Sequence, residues 1–410
     1  MGILLVENPH ASQRGRHLRC ASTWASFGVG GTTSTVTNKL VMYRRQSRQR
    51  IRVTAVALTM FTGGLSAQPV TVISSTVTCG TCRIELVNRV TLGSPSDTIS
   101  PTDFQTGVVR DSRGRYYIVP VDGLTSIAVY DSTGRFLRTI GRNGSGPGEY
   151  GYLINAEIIA GDSILALDAG NRRLTVLSPS YTVVRSLTLR GTFTRAFPLP
   201  AGQLLVNGNV NTQQAAGYPV HVLGPDGAVL RSFGDANPRV YRERDQFNIR
   251  WVERSNEGDL WLAHVDRYEI ERWSIDGRLL RTYRRDASWF PPRDYSTRRA
   301  PEAPPPPMVR AVWQDVAGRV WTISRVPSAE WKAPARVGSS REQPVPPFEV
   351  EDRNSDAIVE VFDPSSGALL ASRRFPHYLL GNVGLGAVYA LRATDNGDLR
   401  VDVWQMRLTR

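Results

Sequence analysis

Tight turns built from glycine and aspartate recur along the chain, and each leads into a short run of strand-forming residues. Aspartate hydrogen-bonds its own backbone and glycine adopts positive φ, so both residue types suit turns between antiparallel strands. Beyond residue 82 we find no amphipathic helical pattern between these runs. The turns that we place between the first two strands of each unit are Asp111–Gly114, Gly161–Asp162, Ala201–Gly202, Glu257–Gly258, Asp315–Gly318 and Asp395–Gly397.

A second set of turns alternates with the first. One turn of each kind per unit gives four strands, a to d, and six units predict an all-β fold, a six-bladed β-propeller. A large β-sandwich also alternates strands and turns, but it would not repeat this order six times. The second set is Asp131–Gly134, Ser178–Ser180, Pro225–Gly227, Ile275–Gly277 and Asp363–Gly367.

Residues 131–177 carry a more specific pattern. Asp131-Ser-Thr-Gly leads through the glycine-rich stretch 141–150 to Asp168-Ala-Gly-Asn-Arg-Arg. These residues resemble the NHL-repeat type of propeller. The resemblance implies a propeller architecture, and propellers of similar appearance include metal-dependent lyases and lactonases that gather histidines or carboxylates in the funnel. Only His264 and His377 could imitate such a pair here, so zinc or calcium in the funnel is the alternative to a protein without a cofactor.

The two ends of the chain are expected to meet. Arg83–Leu92 has the pattern of the outer strands that precede Gly141 and Gly234, whereas the last unit shows only two clear strands, near 388–393 (a) and 399–406 (b). We therefore predict that the amino-terminal strand completes the carboxy-terminal blade and closes the ring. Residues 70–78 are expected to add a further strand there.

An export signal precedes the propeller. Residues 42–67 combine a basic stretch, an apolar run too short to span a membrane, and small residues at a potential cleavage site. Residues 1–41 are either a disordered extension or lie before the true start at Met42. We expect an extracytoplasmic protein whose propeller occupies 68–410, in which Cys79 and Cys82 form a short-loop disulfide.

The charge does not point to nucleic acid. The formal net charge is +13, but residues 1–67 contain nine basic side chains and one acidic one, so most of the excess lies outside the propeller. No phosphate-binding loop or Gly-x-Ser-x-Gly motif is present in the sequence.

Long insertions fall on one class of connection. The segment 286–307 is a d-to-a connection and the segment 325–356 is a b-to-c connection. In a propeller both kinds of connection lie on the same face, and binding residues concentrate on such loops. We predict a ligand-binding lid, or else proline-rich segments anchored to the propeller without a ligand. The candidate binding residues are Trp289, Phe290, Arg293, Trp331 and Arg341.

Carboxylates recur just after strand b, at Asp122, Asp168 and Asp266. Converging carboxylates can bind calcium, but an aspartate at this point also accepts backbone N–H bonds and fixes the b-to-c turn. We favour the structural role.

The leading functional hypothesis is a monomeric, non-catalytic module that binds a protein, peptide or glycan through its loop face. The alternative is a metal-dependent lyase or hydrolase with its site in the funnel, and a third possibility is scaffolding through the proline-rich segments.

Overall fold

The computed structural model describes residues 70–93, 107–119, 125–210, 212, 214–234, 250–291, 303–332, 354–384, 386–393 and 399–410. These residues form 27 β-strands and two short 3-10 helices, Ala160–Asp162 and Pro200–Gly202. The strands build six sheets of four or five strands, which confirms the prediction of an all-β, six-bladed propeller. Among the described residues no helix has the length and apolar character needed to cross a membrane.

Each blade has four antiparallel strands, ordered a to d from the central channel outward. Blade one comprises β3 (Gly107–Arg110), β4 (Tyr116–Val119), β5 (Ile127–Tyr130) and β6 (Phe136–Ile140), and blade two comprises β9 (Leu153–Ile159), β10 (Ser163–Asp168), β11 (Arg173–Leu177) and β12 (Val183–Thr188). Blade three comprises β13 (Thr192–Pro198), β14 (Leu204–Asn209), β15 (Val220–Leu223) and β16 (Val229–Phe233).

The other three blades continue this order. Blade four comprises β17 (Arg250–Arg254), β18 (Leu260–His264), β19 (Glu269–Trp273) and β20 (Leu279–Arg285), with β1 (Val70–Ile73) added outside β20. Blade five comprises β21 (Met308–Gln314), β22 (Val320–Pro327), β23 (Ser355–Phe362) and β24 (Leu369–Phe375). Blade six comprises β25 (Leu379–Gly384), β26 (Ala387–Ala393), β27 (Leu399–Thr409) and, from the start of the chain, β2 (Arg83–Leu92).

The a strands meet around the central axis. Strand β25 contacts β21 and β3, β3 contacts β9, β9 contacts β13, and β17 contacts β21. The b-to-c and d-to-a connections leave the strands at one end of this ring, which we call the loop face. The first d-to-a connection contains two short strands paired in parallel, β7 (Arg142–Asn143) and β8 (Glu149–Tyr150).

The hydrophobic core consists of one cluster between each pair of neighbouring blades. Strand β10 shows how the sequence produces this arrangement, because successive side chains of a strand point to opposite faces. Ile164 and Ala166 pack against blade one, whereas Leu165 and Leu167 pack against blade three. Both faces of a blade are therefore apolar, and a blade needs a neighbour on each side.

Strand β2 closes the ring by pairing antiparallel with β27, from Ile84 opposite Leu408 to Leu92 opposite Val401. This outer position is the one predicted for Arg83–Leu92. The fit against blade one is close: a Cβ on Gly134, which has φ of 90°, would lie 2.3 Å from the carbonyl oxygen of Thr91.

The predicted strand assignment within blade six was wrong. Strand a is Leu379–Gly384, so residues 387–393 form strand b and residues 399–409 form strand c. The turn at Asp395–Gly397, which lies outside the described residues, therefore connects b to c and not a to b. The pattern concealed β25 because the strand contains two register shifts and because Gly381, Asn382 and Gly384 interrupt its apolar residues.

The expected place of residues 70–78 was also wrong. Strand β1 pairs in parallel with β20 of blade four, and Val77 then forms a bridge to Leu369 of blade five. The disulfide between Cys79 and Cys82 is present, as predicted. It lies between the bridge to blade five and the start of β2 on blade six.

Closure by β2 predicts unequal effects of two substitutions near the amino terminus. Ile84 of β2 is 1% exposed and lies in the core between blades five and six, whereas Val72 of β1 is 68% exposed. We expect Ile84→Ala to lower the free energy of unfolding by about 2–4 kcal/mol and Val72→Ala to change it by less than about 0.5 kcal/mol. Urea denaturation measures both, and equal small effects would contradict a closing role for β2.

Candidate functional site

The first predicted insertion is anchored to the propeller by its aromatic side chains. Phe290 is buried in the core between blades four and five. Its ring centroid lies 5.7 Å from that of Tyr268, and the half-buried Trp289 ring lies 5.6 Å from the same tyrosine. Phe290 therefore supplies apolar area to this inter-blade core, and its predicted role in ligand binding stays a prediction.

The remaining loop candidates are not brought together by the described structure. Trp331 is half-buried, and its backbone N–H donates to the carbonyl of Ser328 at 3.1 Å, within a turn that follows β22. Arg293, Arg341 and Asp122 lie outside the described residues, so their predicted roles stay predictions.

Asp168 is fully buried and surrounded by hydrogen-bond donors. Its carboxylate accepts from the backbone N–H groups of Tyr152 at 2.9 Å, Gly151 at 3.2 Å and Asn171 at 3.2 Å, and from the Asn171 side-chain amide at 2.7 Å. These donors come from the d-to-a connection before blade two and from the b-to-c turn within it. The arrangement agrees with the structural role that we favoured.

The two histidines proposed as a metal pair lie in different surroundings. His377 is exposed and stacks on Trp404 of blade six, with ring centroids 5.9 Å apart. His264 is buried at the end of β18, where it faces Glu269 and Glu271 of the neighbouring strand. Burial, reinforced by Arg250 and Arg267, holds the pKa of His264 well below its ordinary value, while Glu269 and Asp266 oppose the shift.

A second group of side chains lies at the loop-face end of the central channel, on the a strands of blades four to six. Arg310 is the third residue of β21, Trp251 is the second residue of β17, and Tyr378 immediately precedes β25. The guanidinium carbon of Arg310 lies 5.1 Å from the ring centroid of Trp251 and 5.7 Å from that of Tyr378. Arg325 approaches the same Tyr378 ring at 5.7 Å.

Arg310 has no counter-ion within the described part of the chain. Its side chain makes no ion pair with a described carboxylate, and its Nε–H is buried without a described hydrogen-bond acceptor. The arginine is therefore held in place by two aromatic rings, a contact worth about 0.5–2 kcal/mol. A half-buried guanidinium gains much more from an anion that accepts its hydrogen bonds.

Tyr389 adds a hydroxyl to this group. Its ring crosses β25 beside Gly381, where a Cβ would lie 3.2 Å from the ring, so the glycine leaves room for it. Burial raises the pKa of Tyr389 to about 12, although Arg310 and Arg195 act in the opposite direction. At neutral pH the hydroxyl is therefore protonated and able to donate a hydrogen bond.

Arg195, also on an a strand, shows the contrast with Arg310. It bonds Glu157 at 2.7–2.8 Å, lies 3.5 Å from Glu253, and donates to the carbonyl of Val252 at 2.9 Å. These partners balance the charge of Arg195, whereas Arg310 has no such partner among the residues that the structure describes.

The sequence singled out His264, but its neighbours Glu269 and Glu271 and the residues around Arg310 were missed because the search was directed at the long connections. The available signal was a charged side chain directly beside apolar residues within a strand. Arg310 interrupts Met308–Trp313, and Glu269 and Glu271 flank Ile270 at the start of β19.

Comparison with known proteins supports the architecture. A family model described as a 6-bladed beta-propeller, DUF5128, matches residues 102–222. No curated protein matches the chain in sequence. The resemblance to NHL repeats therefore remains a prediction.

Solved structures resemble the chain in fold alone. A Bacteroides fragilis protein, named as a candidate exported protein, superposes with a TM-score of 0.53 at 10% identity, over 84% of this chain and 99% of its own. A member of the DUF4221 family from Bacteroides vulgatus gives a TM-score of 0.54 at 10% identity, over 80% and 99% of the two chains. A streptogramin B lyase reaches only 0.41 at 12% identity, over 80% and 98%, so no argument about activity rests on it.

The buried carboxylate of Asp168 generates a stability prediction. Asp168→Ala leaves buried N–H groups without an acceptor and should lower the free energy of unfolding by about 2–4 kcal/mol. Asp226→Ala is the matched control, because Asp226 is an exposed turn aspartate that accepts one backbone N–H. We expect the control to cost about 1 kcal/mol or less. Equal losses in urea denaturation would contradict the structural role of Asp168.

Proposed function

We propose that this protein is an extracytoplasmic, non-catalytic binding module that takes an organic anion at the loop-face end of its central channel. The single observation that carries the proposal is Arg310, a half-buried cation between two aromatic rings with no described carboxylate to balance it.

The chemistry around Arg310 selects the ligand class. A carboxylate supplies both the missing negative charge and acceptors for the guanidinium N–H groups. The half-buried Trp251 ring offers apolar contact to the body of the same molecule, whereas the fully buried Tyr378 ring supports the guanidinium from within the core. The protonated Tyr389 hydroxyl lies in the electrostatic neighbourhood of Arg310. A carboxylate attached to an apolar or aromatic group fits these surroundings better than a neutral glycan.

The described channel residues favour binding over catalysis. Arginine, tryptophan and protonated tyrosine bind and orient an anion, whereas proton abstraction needs a base with a pKa near the working pH. The metal-dependent lyase or hydrolase remains the alternative. It needs a metal facing the channel, and the His264 and His377 pair on which it rested is divided between blade four and the start of blade six.

An extracytoplasmic location is supported by two observations. Residues 42–67 have the pattern of an export signal and lie outside the described residues, and the Cys79–Cys82 disulfide persists in oxidising compartments.

The proposal is tested with a panel of carboxylates and a neutral control ligand. Acetate, succinate, benzoate and indole-3-acetate are titrated into the mature protein at constant ionic strength, alongside benzyl alcohol, and binding is followed by calorimetry. We expect at least one carboxylate to bind and benzyl alcohol to bind more weakly. Arg310→Met should weaken the carboxylate by about tenfold or more, the loss expected for one charged hydrogen bond.

The matched control is Arg231→Met. Arg231 pairs with Asp276 at an outer turn of the propeller, so this variant removes one arginine far from the channel mouth and should bind as the wild type does. If none of the four carboxylates binds, or if Arg310→Met binds them as tightly as Arg231→Met, the proposed function is wrong.

A further inference from the structure

His264, Glu269 and Glu271 bring three potential metal ligands to one point on blade four. His264 ends β18, and the two glutamates share one face of the adjacent β19 because they are two residues apart. His264 Nε2 lies 3.2 Å from Glu271 Oε1 and 3.4 Å from Glu269 Oε1. Ligand atoms bound tetrahedrally to one zinc ion stand about 3.3–3.5 Å apart, given zinc–ligand bonds of about 2.0–2.2 Å.

Both carboxylates are oriented by donors on their other oxygen. Glu269 Oε2 accepts from Arg284 Nε at 2.6 Å, and Glu271 Oε2 accepts from the Trp273 indole N–H at 2.8 Å. Each Oε1 is thereby turned towards His264. Hydrogen bonds of this kind hold the ligands of protein metal sites in place.

A cationic group already lies beside these atoms. Arg267 NH2 is 3.1 Å from His264 Nε2 and 3.1 Å from Glu269 Oε1. The three acceptors are buried, but the Arg267 side chain is 47% exposed on the b-to-c turn. The guanidinium can therefore move into solvent without disturbing the strands. A metal ion would then take its place beside the ligand atoms of His264, Glu269 and Glu271.

We propose that His264, Glu269 and Glu271 bind a zinc ion, and that Arg267 competes with the metal for the same ligand atoms. An imidazole with two carboxylates suits zinc, whereas calcium prefers oxygen ligands only. This site is distinct from the anion site at Arg310 and does not rest on the proposed function.

Zinc binding to the metal-stripped mature protein tests the proposal. Stoichiometry is measured by equilibrium dialysis with elemental analysis, and affinity is measured by competition with a chromophoric chelator. We expect one zinc ion per chain and a large loss of affinity in Glu271→Gln. Arg267→Ala should bind zinc more tightly, by about fivefold, because it removes the competing half-exposed ion pair.

Two controls keep the outcome decisive. Arg231→Ala removes an arginine elsewhere and should leave zinc affinity unchanged, and circular dichroism shows whether Glu271→Gln is folded. If that variant is unfolded, Arg267→Ala decides the question alone. Absence of stoichiometric zinc in the wild type, or an Arg267→Ala variant that binds zinc no more tightly than Arg231→Ala, would overturn the proposal and leave the cluster as a fixed ion-pair network.

Discussion

The antiparallel pairing of β2 with β27 is the interaction on which the rest of the structure depends. Each blade is apolar on both faces, so the ring is complete only when blade six has a full sheet to pack between blades five and one. The outer strand of that sheet is β2, which comes from the amino-terminal part of the propeller. Before it reaches blade six, the chain pairs with blade four through β1 and with blade five through Val77. Closure therefore covers a sheet edge that would otherwise be free to pair with other chains.

Local chemistry made most of this architecture predictable. Glycine and aspartate turns marked five of the six a-to-b positions, and the residues of β2 had the pattern of an outer strand. The errors in placing β1 and in assigning the strands of blade six arose where a strand packs against residues that are distant along the chain. Strand β1 pairs with a strand some two hundred residues away, which no local pattern reveals, and β25 carries Gly381 because the Tyr389 ring needs the space. Both features are consequences of packing between strands.

The candidate sites were less predictable than the fold for a related reason. Long connections suggested a binding lid, yet Phe290 proved to be part of a core, and the informative groups lie on strands. The surroundings of Arg310 could not be read from the sequence, because its two aromatic neighbours, Trp251 and Tyr378, belong to neighbouring blades. His264 could be singled out from the sequence, but its partners could not, since Glu269 and Glu271 become its neighbours only through the pairing of β18 with β19.

Native-state hydrogen exchange, followed by mass spectrometry, tests ring closure most directly. The amides of Arg83–Leu92 that donate to β27 should exchange as slowly as those of Leu399–Thr409, because the two strands share one hydrogen-bonded ladder and open together. Since β2 is the outermost strand of its sheet, roughly half of its amides point away from β27 and exchange faster. Rapid exchange across Arg83–Leu92, with Leu399–Thr409 still protected, would show that the first strand does not complete the last blade and would contradict the account.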